Sequence, residues 1–130
     1  MLLVDLTNRS FTTVALPDDL LATWLGGKGL ATRLLMDLNP VGVDPMAPEN
    51  HLIFATGPFC GTRIWGGSRY GVYTKSPQTG RYCESYSGGK APEAIDAAGF
   101  DAIVLRGAAE RPTALTVHPG GCVFHDADEL

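Results

Sequence analysis

The stretch NPVGVDPMAPEN, Asn39 to Asn50, sets Pro40, Pro45 and Pro48 within one connection, and no helix can run through it. The chain is divided there. Ahead of it LLVDL (Leu2 to Leu6) and FTTVAL (Phe11 to Leu16) are short β-prone runs on either side of the polar cluster TNRS, which predicts a hairpin. Pro17 and Asp18 then open a helix in which Leu20, Leu21, Trp24 and Leu25 recur at helical spacing. Beyond GGKG the same spacing resumes with Leu30, Leu34, Leu35 and Leu38, so the helical segment has two parts.

Behind the proline-rich connection the pattern changes. HLIFAT (His51 to Thr56) reads as a strand buried on both faces, and GPFCGTRIWGGS as a long glycine-rich loop. RYGVYTKS and RYCESYS are strands reversed about Gly80. In GGKAPEAIDAAG, Pro92 suits a first helical turn, Ala94, Ile95 and Ala98 line one side, and Gly99 is placed to end a short helix. FDAIVLRG is a strand, and TALTVH with GCVFHD forms a hairpin around PGG. Helices are too few and strand connections too short for regular βαβ alternation. The expected class is α+β, with mixed or antiparallel sheets and two helical segments. The closing DADEL carries no terminating signal, which suggests a fragment or an early-terminated chain.

The totals narrow the chemistry. At 130 residues with 45% apolar content the chain suits one domain with a real core, and its net charge of -4 argues against a nucleic-acid or membrane-surface binder, which normally carries a basic patch. No run approaches the ~18 apolar residues of a membrane span, and MLLVDLTNRS has no basic lead into its apolar stretch, so a cytoplasmic protein is expected. Cys60, Cys83 and Cys122 are odd in number and far apart, and His51, His118 and His125 show no metal-ligand spacing. They read as ordinary thiols and surface or loop histidines.

Three motifs invite a functional reading. WLGGKGLATRLL, Trp24 to Leu35, lacks the preceding strand and third glycine of a dinucleotide loop, so a helix break where small residues let backbones approach is the better account. SGGKAP, Ser87 to Pro92, fails as a P-loop because Glu84 stands where the first glycine belongs and Ala91 where the magnesium-binding hydroxyl belongs. What survives there is a set of free backbone N–H groups beside glycines, suited to an anion. In GGSRYGVYTKSP the guanidinium of Arg69 offers a planar fork of donors for a phosphate or ring carbonyl, and its glycine neighbours would admit a bulky ligand. Lys75 at the strand's far end is a weaker candidate, because lysines there are routine.

Taken in order, GGKGLATRLL, PENHLIFATGPFCGT, GSRYGVYTKSPQTG, SGG and AGFDAIVLRGAAERP resemble the N-terminal domain of tungsten-dependent aldehyde ferredoxin oxidoreductases. The resemblance covers nearly the whole chain. It implies that residues 1–130 are an incomplete copy of a duplicated domain on which a tungsten or molybdenum bis-pterin cofactor rests. The complete enzyme would oxidise an aldehyde to a carboxylic acid and pass electrons through a 4Fe-4S cluster to ferredoxin. By the same resemblance, Arg69 would lie between pterin and cluster and bond both. The backbone carbonyl of Tyr86, where the family carries asparagine, would help hold the magnesium that bridges the pterin phosphates, with Ser87, Gly88 and Gly89 offering backbone to those phosphates.

The cluster cysteines and the later helical domains of that family are not in this sequence. No catalytic residue is therefore assigned here, and the chain alone is expected to be inactive. Its partners would be the remainder of the oxidoreductase, ferredoxin for the full enzyme, and a second copy if the assembly is a homodimer. The alternative is a non-catalytic remnant or scaffold module of the same fold.

Overall fold

A computed structural model of the chain describes residues 1–128, so the end of DADEL lies outside the described residues. The predicted first hairpin forms from β1 (Leu2–Asp5) and β2 (Ser10–Thr13), paired antiparallel. β2 stops short of Leu16, and just beyond it Val14 exchanges backbone bonds with Met1 (2.9 and 2.7 Å). The two-part helix appears as α1 (Asp18–Trp24) and α2 (Gly27–Leu38). Asn39 caps the end of α2, and the proline-rich connection follows.

The later segments form β3 (Leu52–Thr56), β4 (Tyr70–Lys75), β5 (Tyr82–Ser87), the short α3 (Ala91–Ala97), β6 (Ala102–Arg106), β7 (Thr113–His118) and β8 (Gly121–Asp126). Six strands make one sheet in the order β2-β1-β6-β3-β4-β5, and β7 with β8 makes a separate hairpin. β6 is inserted between β1 and β3. It runs parallel to β1 and antiparallel to β3, which makes the sheet mixed.

Period-two alternation in the central strands gives the sheet two apolar faces. Ile53, Ala55, Tyr73, Ala102 and Val104 point to one side and are covered by Leu30, Ala31, Leu34 and Leu35 of α2. Leu2, Val4 and Ile103 point to the other, where Ala98, Phe100 and Cys122 close over them with the β7–β8 hairpin. Three layers result, and β3 is buried from both sides as its apolar run predicts. Leu30 is fully buried at the centre of the α2 face. Truncating such a leucine to alanine costs about 2–5 kcal/mol.

β5 closes the sheet on one edge and is exposed along most of its length. Among the described residues no helix is long and apolar enough to cross a membrane.

Candidate functional site

Where α2, the loop after β3 and the β4–β5 hairpin meet, backbones approach through glycines. A Cβ at Gly26 would lie 3.2 Å from the Thr56 carbonyl, and one at Gly29 only 2.5 Å from the Trp24 carbonyl. The GGKG break is thus the close-packed junction its composition suggests. It is also more. Gly27 and Lys28 line a cavity of about 260 Å³ whose other walls include Gly57, Gly67, Gly71, Tyr73 and Tyr86. A larger cavity of about 800 Å³ lies next to it, bounded by Thr62, Ser68, Gly88, Gly89, Glu93 and Asp96.

Arg69 and Gly66 line both cavities. Arg69 stands just before β4 on an exposed turn, with its N–H bonded to the Gly67 carbonyl at 2.9 Å. Its side chain passes over Gly88, where a Cβ would come within 3.3 Å of the guanidinium. None of the ion pairs among the described residues uses Arg69. A planar fork of donors is therefore held at a wall common to two spaces, with its donors uncommitted. Ser68 fastens this turn by donating from Oγ to the Gly89 carbonyl at 2.8 Å.

The other expected residues divide between the cavities. Gly88 and Gly89 border the larger one with Arg69, whereas the half-exposed Tyr86 faces the smaller. Ser87, the last residue of β5, lines neither. Lys75 is not at the site at all. Its ammonium reaches back to the Val43 carbonyl, while Asn50 binds the Pro45 and Lys75 carbonyls at 2.8 and 3.0 Å and Thr74 donates to the His51 carbonyl at 2.8 Å. Ser76 Oγ accepts N–H bonds from Gln78 and Thr79 at 3.2 and 3.4 Å. TKSPQTG is thus a structural clasp that ties the proline-rich connection to β4 and sets the β4–β5 turn.

Sequence spacing did not single out Lys28 or Tyr73. Lys28 Nζ pairs with Glu84 at 2.9 Å, and the same carboxylate accepts from Tyr82 at 3.1 Å. Tyr82 in turn shares a 2.8 Å hydrogen bond with Thr32, so α2 and β5 are bridged beside the smaller cavity. Bonding to Glu84 pushes the Lys28 ammonium above its ordinary range, and the same contact holds the Glu84 carboxyl below its own. Tyr73 is fully buried, and its hydroxyl has no hydrogen-bond partner.

The cysteines do not converge. Cys60 and Cys122 are buried and Cys83 is exposed, and burial raises the thiol pKa of both Cys60 and Cys122. Among the described residues no group of three or more His, Cys, Asp or Glu is arranged to hold a metal ion.

Residues 1–130 match the family described as aldehyde ferredoxin oxidoreductase, N-terminal domain. This chain belongs to that family. It is 38% identical over 130 residues to the tungsten-containing aldehyde ferredoxin oxidoreductase of Pyrococcus abyssi, covering all of this chain and 21% of the relative. The Pyrococcus furiosus protein of the same name is 39% identical over 127 residues, covering 98% of this chain and 21% of the relative. A P. furiosus protein named aliphatic sulfonate oxidoreductase, WOR-like subunit, is 33% identical over 129 residues, 95% of this chain and 20% of its own. Among solved structures, the active-site complex of benzoyl coenzyme A reductase with 1,5-dienoyl-CoA superposes with a TM-score of 0.94 at 38% identity, over 98% of this chain and 19% of that one. The aldehyde ferredoxin oxidoreductase domain seen here thus spans about a fifth of the length of the curated relatives it matches.

Proposed function

We propose that this domain forms one wall of the site that holds a tungsten or molybdenum bis-pterin cofactor in an aldehyde:ferredoxin oxidoreductase, and that it acts only with the remainder of that enzyme. The observation that carries the reading is Arg69, an uncommitted guanidinium at the partition between two glycine-bordered cavities. When bound, the metallopterin would supply the oxidation of an aldehyde to a carboxylic acid, with electrons leaving through a 4Fe-4S cluster to ferredoxin. What this chain does is bind and orient.

The residues present fit such a group. The smaller cavity has glycine walls on several elements, which lets a flat ring system approach the backbone closely. The larger one sets Arg69 against Glu93 and Asp96, so a diphosphate entering alone would meet two carboxylates for one guanidinium. A divalent cation carried with the phosphates offsets that excess, which supports a magnesium-bridged pair of phosphates rather than a bare anion. Gly88 and Gly89 would offer backbone to them, with Ser87 next in the chain, and a magnesium contact from the Tyr86 carbonyl would have to be made from the side of the smaller cavity, which Tyr86 lines. The described residues bring no cysteine set together, so the remainder of the enzyme would ligate the cluster, with Arg69 reaching toward it. Residues 1–130 are then the first part of a longer domain, working in the cytoplasm with ferredoxin as electron acceptor.

Relatives named for aldehydes, for a sulfonate and for benzoyl coenzyme A share this module at 33–39% identity. Substrate choice on this reading belongs to the other four fifths of the enzyme. The test is to express the chain with the rest of its enzyme and measure tungsten, molybdenum and pterin in the purified assembly. Metal and pterin are expected in the wild type and lost in Arg69→Ala. An assembly with neither would overturn the proposal in favour of a scaffold module.

A further inference from the structure

In the smaller cavity, beside the exposed Arg69, Tyr73 is the buried residue whose polar group is unused within the described residues. Its side chain is fully buried, on the face of β4 covered by α2, yet its hydroxyl has no hydrogen-bond partner. Leaving such a group unpaired is costly, and native proteins rarely do so without water or a ligand to meet it. The ring of the neighbouring Tyr86 meets that of Tyr73 edge to face, centroids 6.2 Å apart at 90°, and brings the two hydroxyls near one another without hydrogen-bond geometry.

The hydroxyl's position is fixed by a glycine. Gly71, two residues earlier on the same face of β4, is buried, and a Cβ there would lie 2.1 Å from the Tyr73 hydroxyl and 2.4 Å from the ring carbon bearing it. The phenol therefore lies flat along its own strand against Gly71, and both residues line the cavity. Burial, with Tyr86 beside it, pushes the phenol well above its ordinary pKa, so it remains a donor across the physiological range. Around it the walls are Gly27 of α2 and Gly57, Gly66 and Gly67 of the glycine-rich loop. Five glycines and one buried donor describe a slot for a flat polar ring.

We infer that Tyr73 is a cofactor-binding residue, its hydroxyl donating a hydrogen bond to a ring nitrogen or carbonyl of the planar heteroaromatic group that enters this slot. The inference rests on the metallopterin reading above and adds to it a donor at a stated atom.

Tyr73→Phe separates the consequences, because it deletes the hydroxyl and keeps the ring. In the purified assembly of this chain with the rest of its enzyme, the variant is expected to lose pterin and metal about tenfold faster on dialysis than the wild type, the range of one hydrogen bond. In the assembly depleted of metal and pterin, the same variant is expected to melt no lower than the wild type, since the hydroxyl has no partner there to lose. Equal cofactor release by wild type and Tyr73→Phe would overturn the role of Tyr73 and leave the function standing, the hydroxyl then being met by water alone. A lower melting temperature of the depleted variant would also overturn it, by showing a partner inside the protein. A wild-type assembly with neither metal nor pterin would overturn the function and this inference together.

Discussion

Arg69 and Gly71 stand two residues apart and illustrate opposite kinds of constraint. Arg69 is exposed and takes no part in the ion pairs among the described residues, so nothing in the fold depends on its charge. Arg69→Ala is expected to leave the unfolding free energy within about 0.5 kcal/mol of wild type while emptying the assembled enzyme of cofactor. Arg69→Lys should restore little, because an ammonium cannot reproduce the planar fork. Gly71 is the converse. A methyl group there meets the buried Tyr73 phenol at overlapping distance, and Gly71→Ala is expected to cost about 1–3 kcal/mol in urea unfolding by overpacking. Arg69 could be read from the sequence because its side-chain chemistry and its glycine neighbours are adjacent. Tyr73 could not. In the sequence it is one more apolar residue in an alternating strand, and only the packed sheet shows that its hydroxyl has no partner.

At the scale of elements, the motif TKSPQTG turned out to be mechanical. Asn50 bonds to Pro45, Thr74 and Lys75 and accepts from Asn39 at 2.9 Å, so one amide joins the end of α2, the proline-rich connection and β4. Asn50→Ala leaves several part-buried groups unmet and is expected to destabilise by about 1–3 kcal/mol in chemical denaturation. His51 belongs to the same clasp, its ring Nδ1 lying 2.8 Å from Asn39 Oδ1. Burial and the nearby Arg106 charge hold its pKa below the ordinary value. Below about pH 6.5 the unfolded chain therefore takes up a proton that the folded chain resists. The contribution of His51 is complete above that pH and declines as pH falls toward the folded value. Urea midpoints at pH 7.5 and 5.5 should show this loss in the wild type and a smaller one in His51→Gln. Helices, hairpins and the two-part helix break were legible because each follows from local spacing and turn residues. The clasp was not, because its partners lie up to 32 residues apart.

For the whole molecule, the sequence indicated α+β with mixed pairing, but not the sheet order, because the placement of β6 depends on contacts between distant parts of the chain. The exposed edge of β5 and the exposed Phe59, Ile64 and Trp65 of the glycine-rich loop are the surfaces most open to association. Light scattering of the chain expressed alone is expected to show concentration-dependent oligomers, and charged substitutions at Ile64 and Trp65 to reduce them. The insertion of β6 between β1 and β3 has a consequence for the order of assembly. β1 gains its inner neighbour only when residues some 101 positions later arrive, as the Asp5 to Arg106 bond records. The segment from Gly27 to Gly89, by contrast, contains α2, β3, β4 and β5 and lines most of both cavities. Contacts close in sequence form sooner, so the cofactor-facing half can take shape on the ribosome while the N-terminal strand is still waiting for its place. Pulse-labelled hydrogen exchange should find β4 and β5 protected before β1.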